Sequence, residues 1–237
     1  MDFTERPASA AAPSGGRKQR GADKRTDSKR DRIVRLAAKL FLEKGNESVS
    51  INDIIDVVGG SKATIYANFG SKEKLFEAVV EQMCSEVTIH IDTRPIGTIE
   101  EQLTRIAHSF VSKVLTPQIL SFHRLMTSIG RDYPKAGRLF YETGPKTVYR
   151  LIADWIALHQ KAGNLRADRD PYRLAVLFHD MLIGEHVLSW LTSASSEKDR
   201  AKRIDETVQL SVTIFLQGTA SSGQSEGARR TLRSDRA

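Results

Sequence analysis

The stretch that most constrains the fold is residues 50–69, SINDIIDVVGGSKATIYANF, in which two glycines separate two short helical patterns. The first half has four apolar residues at the spacing of one buried helical face: Ile51, Ile54, Ile55 and Val58. Ser50 is suited to cap this helix, and Gly59 and Gly60 end it. Ser61 can cap a second helix, in which Ile65 and Phe69 are four residues apart and point inward. The pattern therefore predicts a helix-turn-helix.

The second helix of this motif exposes side chains that suit contact with DNA. Its remaining surface carries small, hydroxyl, amide and lysine side chains: Lys62, Ala63, Thr64, Tyr66, Ala67 and Asn68. A purely structural interpretation also stands, because Tyr66 could pack against the helix that precedes the whole motif and Lys72 could be a solvated first-turn residue. Capping alone explains Ser61 and Ser71. The DNA-binding interpretation therefore depends on the joint order and spacing of these residues.

The rest of the chain has helical periodicity and no alternating β-branched segments, so the predicted fold class is all-α. A helix before the motif is predicted to begin near Thr26 or Asp27 and to end at Gly45. A helix after the motif is predicted from Ser71 to about Ile91. Later helices are predicted to start at turn and cap signals: Thr98, Pro117, Pro134, Asp170 and about Ser196. A kink or break is expected at Gly144-Pro145.

These elements predict an N-terminal helix-turn-helix domain at residues 27–70 and a helical regulatory and dimerisation domain at residues 71–217. Residues 1–26 and 218–237 are rich in Gly, Ser, Ala and basic residues, so both are expected to be disordered. The first of these is a basic arm. Its side chains could follow a phosphate backbone, or they could form only a solvated tail.

Composition excludes several classes of protein. The net charge is +7, but residues 31–92 hold more acidic than basic side chains, so bulk charge is weak evidence for DNA binding.

No apolar run approaches the roughly 20 residues that span a bilayer, so no membrane association and a cytoplasmic location are expected. The single cysteine, Cys84, cannot form an internal disulfide and is interpreted as a small apolar residue, with redox sensing as the alternative.

Enzyme and metal chemistry have no signature in the chain. Phosphate-binding glycine loops, the H-E-x-x-H zinc motif and the G-x-S-x-G nucleophile motif are all missing from the sequence, so the chain is not expected to be an enzyme. His179 and His186 share a helical face but are seven residues apart, whereas ligands that converge on one ion lie three or four apart on a helix. We therefore predict no metal site and no cofactor.

The chain resembles the TetR family of transcriptional regulators over residues 31–80. The resemblance lies in an apolar helix ending in Leu40-Phe41 followed by Gly45, an S-x-x-D-I segment, the glycine turn, S-K-x-T-I-Y-x-x-F and S-K-E-x-L. The remainder is similar to the AefR-like group of ligand domains in that family, through four short segments: Phe122-His123-Arg124-Leu125, Tyr133-Pro134, Phe140-Tyr141-Glu142 and Gly144-Pro145.

The resemblance implies specific roles on DNA. Lys62, Ala63 and Asn68 are expected to face base edges, where lysine can bond to guanine and asparagine to adenine. Thr64, Tyr66 and Lys72 are expected to hold phosphates, with Ser50 near the backbone. The sequence departs from the family pattern at Gly60, usually apolar, and at Ala63, commonly glycine. The second glycine is expected to loosen the turn, and either change could alter operator preference.

The resemblance also implies a dimer and an effector. The last two helices are apolar beyond a single stripe and are expected to form half of an intermolecular four-helix bundle. Core packing within one subunit could instead bury some of these side chains. A cavity in the regulatory domain is expected to hold an unidentified small molecule, with these candidate residues drawn from its aromatic and polar side chains: Phe122, His123, Met126, Tyr133, Tyr141, Trp155, Phe178 and His179. Each of them could instead be ordinary core.

The predicted function is that of a ligand-responsive transcriptional regulator, a repressor that binds a palindromic double-stranded DNA operator as a homodimer and is released by a small molecule. The alternative is a small-molecule binding protein or enzyme on the same all-α scaffold that has no operator. Neither the effector nor the operator sequence follows from the residues alone.

Overall fold

In the computed structural model, residues 19–192 and 200–220 are described, with side chains from residue 29 onward in the first range and from residue 202 in the second. Within these residues the chain forms ten α-helices and no strand, which confirms the all-α class. The helices are α1 (Gln19–Lys44), α2 (Ile51–Val58), α3 (Lys62–Phe69), α4 (Lys72–Thr88), α5 (Ile99–Val114), α6 (Pro117–Ile129), α7 (Pro134–Thr143), α8 (Pro145–Lys161), α9 (Pro171–Leu191) and α10 (Arg200–Thr219).

Caps and prolines set most of these boundaries. Six N-cap side chains accept a hydrogen bond from the backbone N–H three residues further on, as the residue types predict: Ser50, Ser61, Ser71, Thr98, Thr116 and Asp170. Proline occupies the first position of α6, α7, α8 and α9, where its missing N–H costs nothing. The break expected at Gly144-Pro145 is present, since Gly144 ends α7 and precedes α8.

Two predicted boundaries need correction. Helix α1 begins at Gln19 rather than near Thr26, so residues 19–26 are helical where a disordered arm was expected. That segment contains no proline and is built largely from Gln, Arg, Ala and Lys, which favour helix, and one glycine does not interrupt it. At the other end, α10 continues to Thr219, beyond the predicted limit at residue 217. Predictions for residues 1–18, 193–199 and 221–237 lie outside the described residues.

The N-terminal helices pack around one core and are joined to the rest of the protein through α4. Ile33, Phe41, Ile54, Ile65 and Leu75 are at most 1% exposed, which places α1, α2, α3 and α4 on a shared interior. Helix α1 packs on α2, α4 and α6, and α4 continues against α5 and α7. Helix α4 therefore belongs to the cores of both domains and connects the motif mechanically to the C-terminal domain.

The C-terminal helices form a second layer in which α8 packs on α9, and α10 packs on α5 and α9. By length and composition alone, α9 is the one helix in the described part of the chain that could cross a membrane, so the expectation that no segment would qualify is wrong on that criterion. Phe178 and Leu182 of α9 are fully buried, and His179 and His186 are buried polar residues. One side of α9 therefore packs in the core of the domain.

Candidate DNA-binding surface and ligand cavity

The first helix of the motif is fixed by a capping box. The Ser50 hydroxyl accepts from the Asp53 N–H at 3.2 Å and donates to the Asp53 carboxylate, while the Ser50 N–H donates to the same carboxylate at 2.8 Å. These hydrogen bonds from Ser50, with a further contribution from Lys44, lower the pKa of Asp53 to about 2. The Ser50 hydroxyl therefore donates its hydrogen bond within the capping box. Capping accounts for this residue without a DNA contact.

We expect Ser50→Ala to lower the free energy of unfolding by about 1 kcal/mol, the usual cost of losing an N-cap side chain. Urea unfolding at fixed protein concentration measures this difference. Ser112→Ala is the matched control, because Ser112 is exposed and bonds only to Ser109 O in the middle of α5. An equal loss of stability in both variants would contradict the capping role of Ser50.

The turn between α2 and α3 requires both of its glycines. Gly59 has φ 77° and Gly60 has φ 105°, values that side chains of L-residues rarely adopt. The Gly59 N–H donates to Ile55 O at 2.7 Å and ends α2. The sequence suggested that Gly60 loosens the turn, whereas the structure gives this glycine a definite backbone role. A methyl group at Gly60 would also touch Thr64 at 3.7 Å, at the start of α3.

Helix α3 presents its polar side outward. Ile65 is fully buried and Phe69 is 8% exposed, so the inner face predicted from the sequence is correct. Lys62, Ala63 and Tyr66 are exposed, and the Tyr66 side chain is 48% exposed, which excludes an interior packing role for its hydroxyl-bearing ring. The exposed set matches the surface expected to meet DNA.

The three other residues predicted to contact DNA from this region are half-buried, and two of them are already near or bonded to protein groups. Thr64 is half-buried, and its hydroxyl lies 3.3 Å from that of Ser61. The Asn68 amide donates to Thr64 O at 2.7 Å, which holds the half-buried side chain along its own helix. To read adenine, Asn68 must therefore rotate away from this bond. Lys72 is the first residue of α4 and is half-buried beside the motif.

Sequence reasoning missed a contact between α1 and the end of α3. The guanidinium carbon of Arg30 lies 5.0 Å from the centre of the Phe69 ring, in the geometry of a cation–π interaction. Arg30 is exposed, so this pair holds a positive charge at the surface beside α3. A basic residue followed by an aromatic 39 positions later carries no local signal, so only the fold brings them together.

The C-terminal domain contains a mainly apolar cavity of about 140 Å³ between α4, α5, α6, α7, α8 and α9. Its apolar wall includes the following residues: Met83, Val87, Phe110, Val114, Ile119, Phe122, Phe140 and Ile183. Four side chains bring polar atoms to this wall: Cys84, His123, Tyr149 and His179. An apolar enclosure with a few polar groups is the usual form of a small-molecule site.

Three of the eight predicted pocket residues line this cavity, namely Phe122, His123 and His179. The other five lie elsewhere and correct the expectation. Trp155 donates from Nε1 to Gln102 Oε1 at 3.2 Å, and Phe178 packs on Phe215 with ring centres 4.9 Å apart. Met126 is buried core, Tyr141 is 48% exposed, and Tyr133 lines a separate cleft of about 220 Å³ beside Asn46 and α4. Helical periodicity indicates burial but not which side of a helix faces the cavity.

The sequence also missed lining residues, among them Tyr149 and Cys84. Burial raises the pKa of the Tyr149 hydroxyl and of the Cys84 thiol, to about 12 and about 11 respectively. The Cys84 thiol donates a long hydrogen bond to Phe140 O at 3.9 Å. A buried, protonated thiol is a poor nucleophile, so this environment favours the packing interpretation of Cys84 over redox sensing.

Both cavity histidines are held in the neutral form. Burial, and secondarily the proximity of His179, lower the pKa of His123, while burial lowers the pKa of His179 against the opposing influence of Asp180. His179 Nδ1 bonds to the Asp180 carboxylate at 2.9 Å. His123 Nδ1 is buried without a hydrogen-bond partner among the described residues. Within those same residues no group of three or more His, Cys, Asp or Glu side chains is arranged to hold a metal ion.

A band of exposed apolar side chains crosses α9 and α10, and we call it the apolar face. It consists of residues that are 36% to 63% exposed: Leu177, Met181, Leu188, Leu210 and Ile214. Successive members of each helix lie four or seven residues apart, so each helix presents one stripe. Exposed apolar surface of this extent is typical of a protein–protein interface.

A capped helix-turn-helix joined through a shared helix to a second α-helical domain is the architecture of a class of DNA-binding transcriptional regulators. Two family matches cover most of the chain: residues 33–79 match "Bacterial regulatory proteins, tetR family", and residues 101–218 match "AefR-like transcriptional repressor, C-terminal domain". The chain belongs to the TetR family of transcriptional regulators, which are not enzymes.

Individual relatives agree with this assignment. The transcriptional repressor ComR of Escherichia coli is 31% identical over 104 residues, which are 41% of this chain and 49% of ComR. The regulator RutR of E. coli is 29% identical over 113 residues, 48% of this chain and 46% of RutR. The chain thus spans about half the length of the curated relatives it matches.

Solved structures are similar over a larger share of the chain. The flavonoid-responsive regulator FrrA is 28% identical, with a TM-score of 0.71 over 83% of this chain and 99% of FrrA. A TetR-family regulator from Mesorhizobium loti has the same fold with a TM-score of 0.71 at 24% identity, over 83% of this chain and 98% of that protein.

Proposed function

We propose that the protein is a homodimeric repressor that binds a palindromic operator through α3 and is released by a small organic effector. The observation that carries the DNA part is the exposed surface of α3, where Lys62, Ala63 and Tyr66 face solvent while Ile65 and Phe69 anchor the helix. A dimer places two such helices in successive major grooves. The match to a domain described as an AefR-like transcriptional repressor supports repression. Such a regulator acts in the cytoplasm.

The effector is proposed to occupy the cavity between α4 and α9. Met83, Cys84 and Val87 of α4 line it, and α4 also packs on α1 beside the motif. An effector that favours a dimer with the wrong spacing of its two α3 helices lowers DNA affinity in proportion to its preference for that state. The name of FrrA, a flavonoid-responsive regulator, supports an aromatic organic effector for this chain as well.

The phosphate contacts are tested by Tyr66→Phe combined with Lys72→Ala. We expect weaker operator binding, and we expect the slope of log affinity against log salt to shrink by about 2, because each subunit of the dimer loses one lysine–phosphate contact. Gel shifts with DNA flanking the protein's own gene, measured between 50 and 200 mM salt as is usual for such slopes, give both quantities. Removing the Tyr66 hydroxyl changes affinity without changing the slope, since it carries no charge.

Lys161→Ala is the matched control, because Lys161 is an exposed lysine in the last turn of α8, far along the chain from the motif. It should change neither the affinity nor the slope. If the double variant behaves like this control, Tyr66 and Lys72 do not hold phosphates. If the unmodified protein shifts no DNA from this region, the proposal of an operator beside its own gene fails, and binding to effector alone becomes the better description.

A further inference from the structure

The buried ring nitrogen of His123 indicates which groups an effector must carry. His123 Nδ1 has no hydrogen-bond partner among the described residues, although its side chain lines the cavity. A buried polar atom left without a partner is unfavourable, and such atoms need an explanation in a native structure. A bound molecule with a polar group at this position would remove that cost.

A second polar position lies on His179. Because a carboxylate only accepts, the bond from His179 Nδ1 to Asp180 Oδ1 assigns the proton of the neutral ring to Nδ1. Nε2, on the opposite edge of the ring, is then an acceptor. The His179 ring contacts Phe110 and Tyr149 of the cavity wall, with ring centres 5.1 and 4.7 Å away. Both side chains line the cavity, and between them they have an acceptor nitrogen on His179 and an unused ring nitrogen on His123.

The charge of the cavity selects against anions. Burial lowers the pKa of both histidines, so both rings are neutral near pH 7. Among the described residues that line the cavity there is neither a lysine nor an arginine. A carboxylate or phosphate bound here would lose its hydration without gaining an opposite charge, which is strongly unfavourable. A hydroxyl group, in contrast, can donate to one histidine and accept from the other without a net charge.

The size and walls of the cavity limit the carbon skeleton. A dry cavity of about 150 Å³ holds benzene, and this cavity measures about 140 Å³. Phe110, Phe122 and Phe140 supply aromatic walls, and Phe122 and Phe140 already meet edge to face at 5.5 Å. One ring with a small substituent fits this space. A flavonoid, with three rings, is larger than this volume.

We propose that the effector is a neutral, single-ring aromatic alcohol whose hydroxyl group bonds to His123 and His179. The proposal rests on the proposed function, since it names the chemical class that the regulatory cavity takes. The proposed effector differs from the flavonoids to which the name of FrrA refers.

Calorimetric titration of the full-length protein without DNA tests the class of ligand. The probes are 4-ethylphenol, ethylbenzene, 4-ethylbenzoate and the flavonoid naringenin. We expect 4-ethylphenol to bind about tenfold or more tightly than ethylbenzene, the effect of one or two net hydrogen bonds. We expect no measurable binding of the benzoate. Tight binding of naringenin or 4-ethylbenzoate with weak binding of 4-ethylphenol would overturn the inference while leaving a ligand-regulated repressor intact.

Variants of the two histidines test the contact itself. His123→Leu should remove most of the advantage of 4-ethylphenol over ethylbenzene, whereas His123→Asn, whose amide lies near the position of Nδ1, should retain part of it. His108→Leu is the matched control, because His108 lies outside the cavity and is 3.7 Å from Asp205. His179→Gln keeps an acceptor near the position of Nε2 and should also retain the selectivity for 4-ethylphenol. This variant still tests the proposed contact if His123→Leu does not fold.

Operator gel shifts without any ligand keep the two proposals apart. If the protein shifts operator DNA but binds 4-ethylphenol no better than ethylbenzene, the effector class is wrong and the regulator stands. If His123→Leu and His108→Leu both preserve the tenfold selectivity, His123 is not the polar anchor. Binding of 4-ethylphenol by a protein that shifts no operator would support the cavity chemistry and remove the proposed function.

Discussion

Leu177→Glu combined with Ile214→Glu is expected to convert the proposed dimer to a monomer and to weaken operator binding by about 10²- to 10⁴-fold, the range by which linked binding sites exceed single ones. The two side chains are 61% and 50% exposed on neighbouring helices α9 and α10. In a two-fold symmetric interface each substitution enters twice, so four carboxylates would have to be buried without partners. Light scattering after gel filtration measures the mass, and gel shifts measure the affinity.

The control for this variant is Leu158→Glu. Leu158 is 67% exposed on α8, outside the apolar face, so its substitution should leave both mass and affinity unchanged. If the double variant remains a dimer, the subunits associate through another surface. If it becomes a monomer but keeps full affinity, dimerisation does not contribute to operator binding and the palindromic operator is wrong.

The helices of this protein could be predicted because their ends are marked by local chemistry. Thr98, Thr116 and Asp170 cap their helices through bonds to an N–H only three residues away, so the sequence contains the whole interaction. The start of α1 at Gln19 could not be predicted because this end of the helix has no such local signal. That end has no acidic residue in its first turn and no distinctive cap signal, and its residues favour helix only weakly and collectively.

The cavity could not be predicted at the level of residues. Phe178 and His179 are adjacent on α9 and both are buried, yet Phe178 packs on Phe215 of α10 and His179 lines the cavity. Which of the two faces the cavity depends on how α9 is rotated between α8 and α10, and that rotation is set by contacts distant in sequence. Trp155 shows the same limit, because its indole bonds to Gln102, which is 53 residues away.

The motif shows an intermediate case. Its buried face was predictable from spacing, but the state of individual polar groups was not. The Ser50 hydroxyl is committed to Asp53, and the Asn68 amide is committed to Thr64 O. Ser50 matches the family pattern and Asn68 occupies one of its unspecified positions, so the pattern alone cannot say whether they reach DNA or stabilise the helices that do. Gly60 is the opposite example. It departs from the family pattern, yet its backbone φ of 105° is one that favours glycine.

Phe41→Ala is expected to lower the free energy of unfolding by about 3–5 kcal/mol, the usual loss for a buried phenylalanine. Phe41 is fully buried in α1, and its ring meets the edge of Phe76 in α4 with centres 5.0 Å apart. The same ring therefore joins the motif's supporting helix to the helix shared with the C-terminal domain. Urea unfolding followed by circular dichroism measures the loss, at fixed protein concentration because association into the proposed dimer would make stability depend on concentration.

Phe41→Ala should affect DNA binding more than ligand binding. Phe41 lies in the N-terminal core that supports α3, whereas the cavity lies at the other end of α4. Operator affinity is expected to fall with the stability of that core, whereas binding of 4-ethylphenol in the cavity should persist at low temperature. Leu158→Ala, which truncates an exposed side chain, should change stability by no more than about 0.5 kcal/mol. A loss of less than about 1 kcal/mol for Phe41→Ala would mean that α1 and α4 are not held together by this contact.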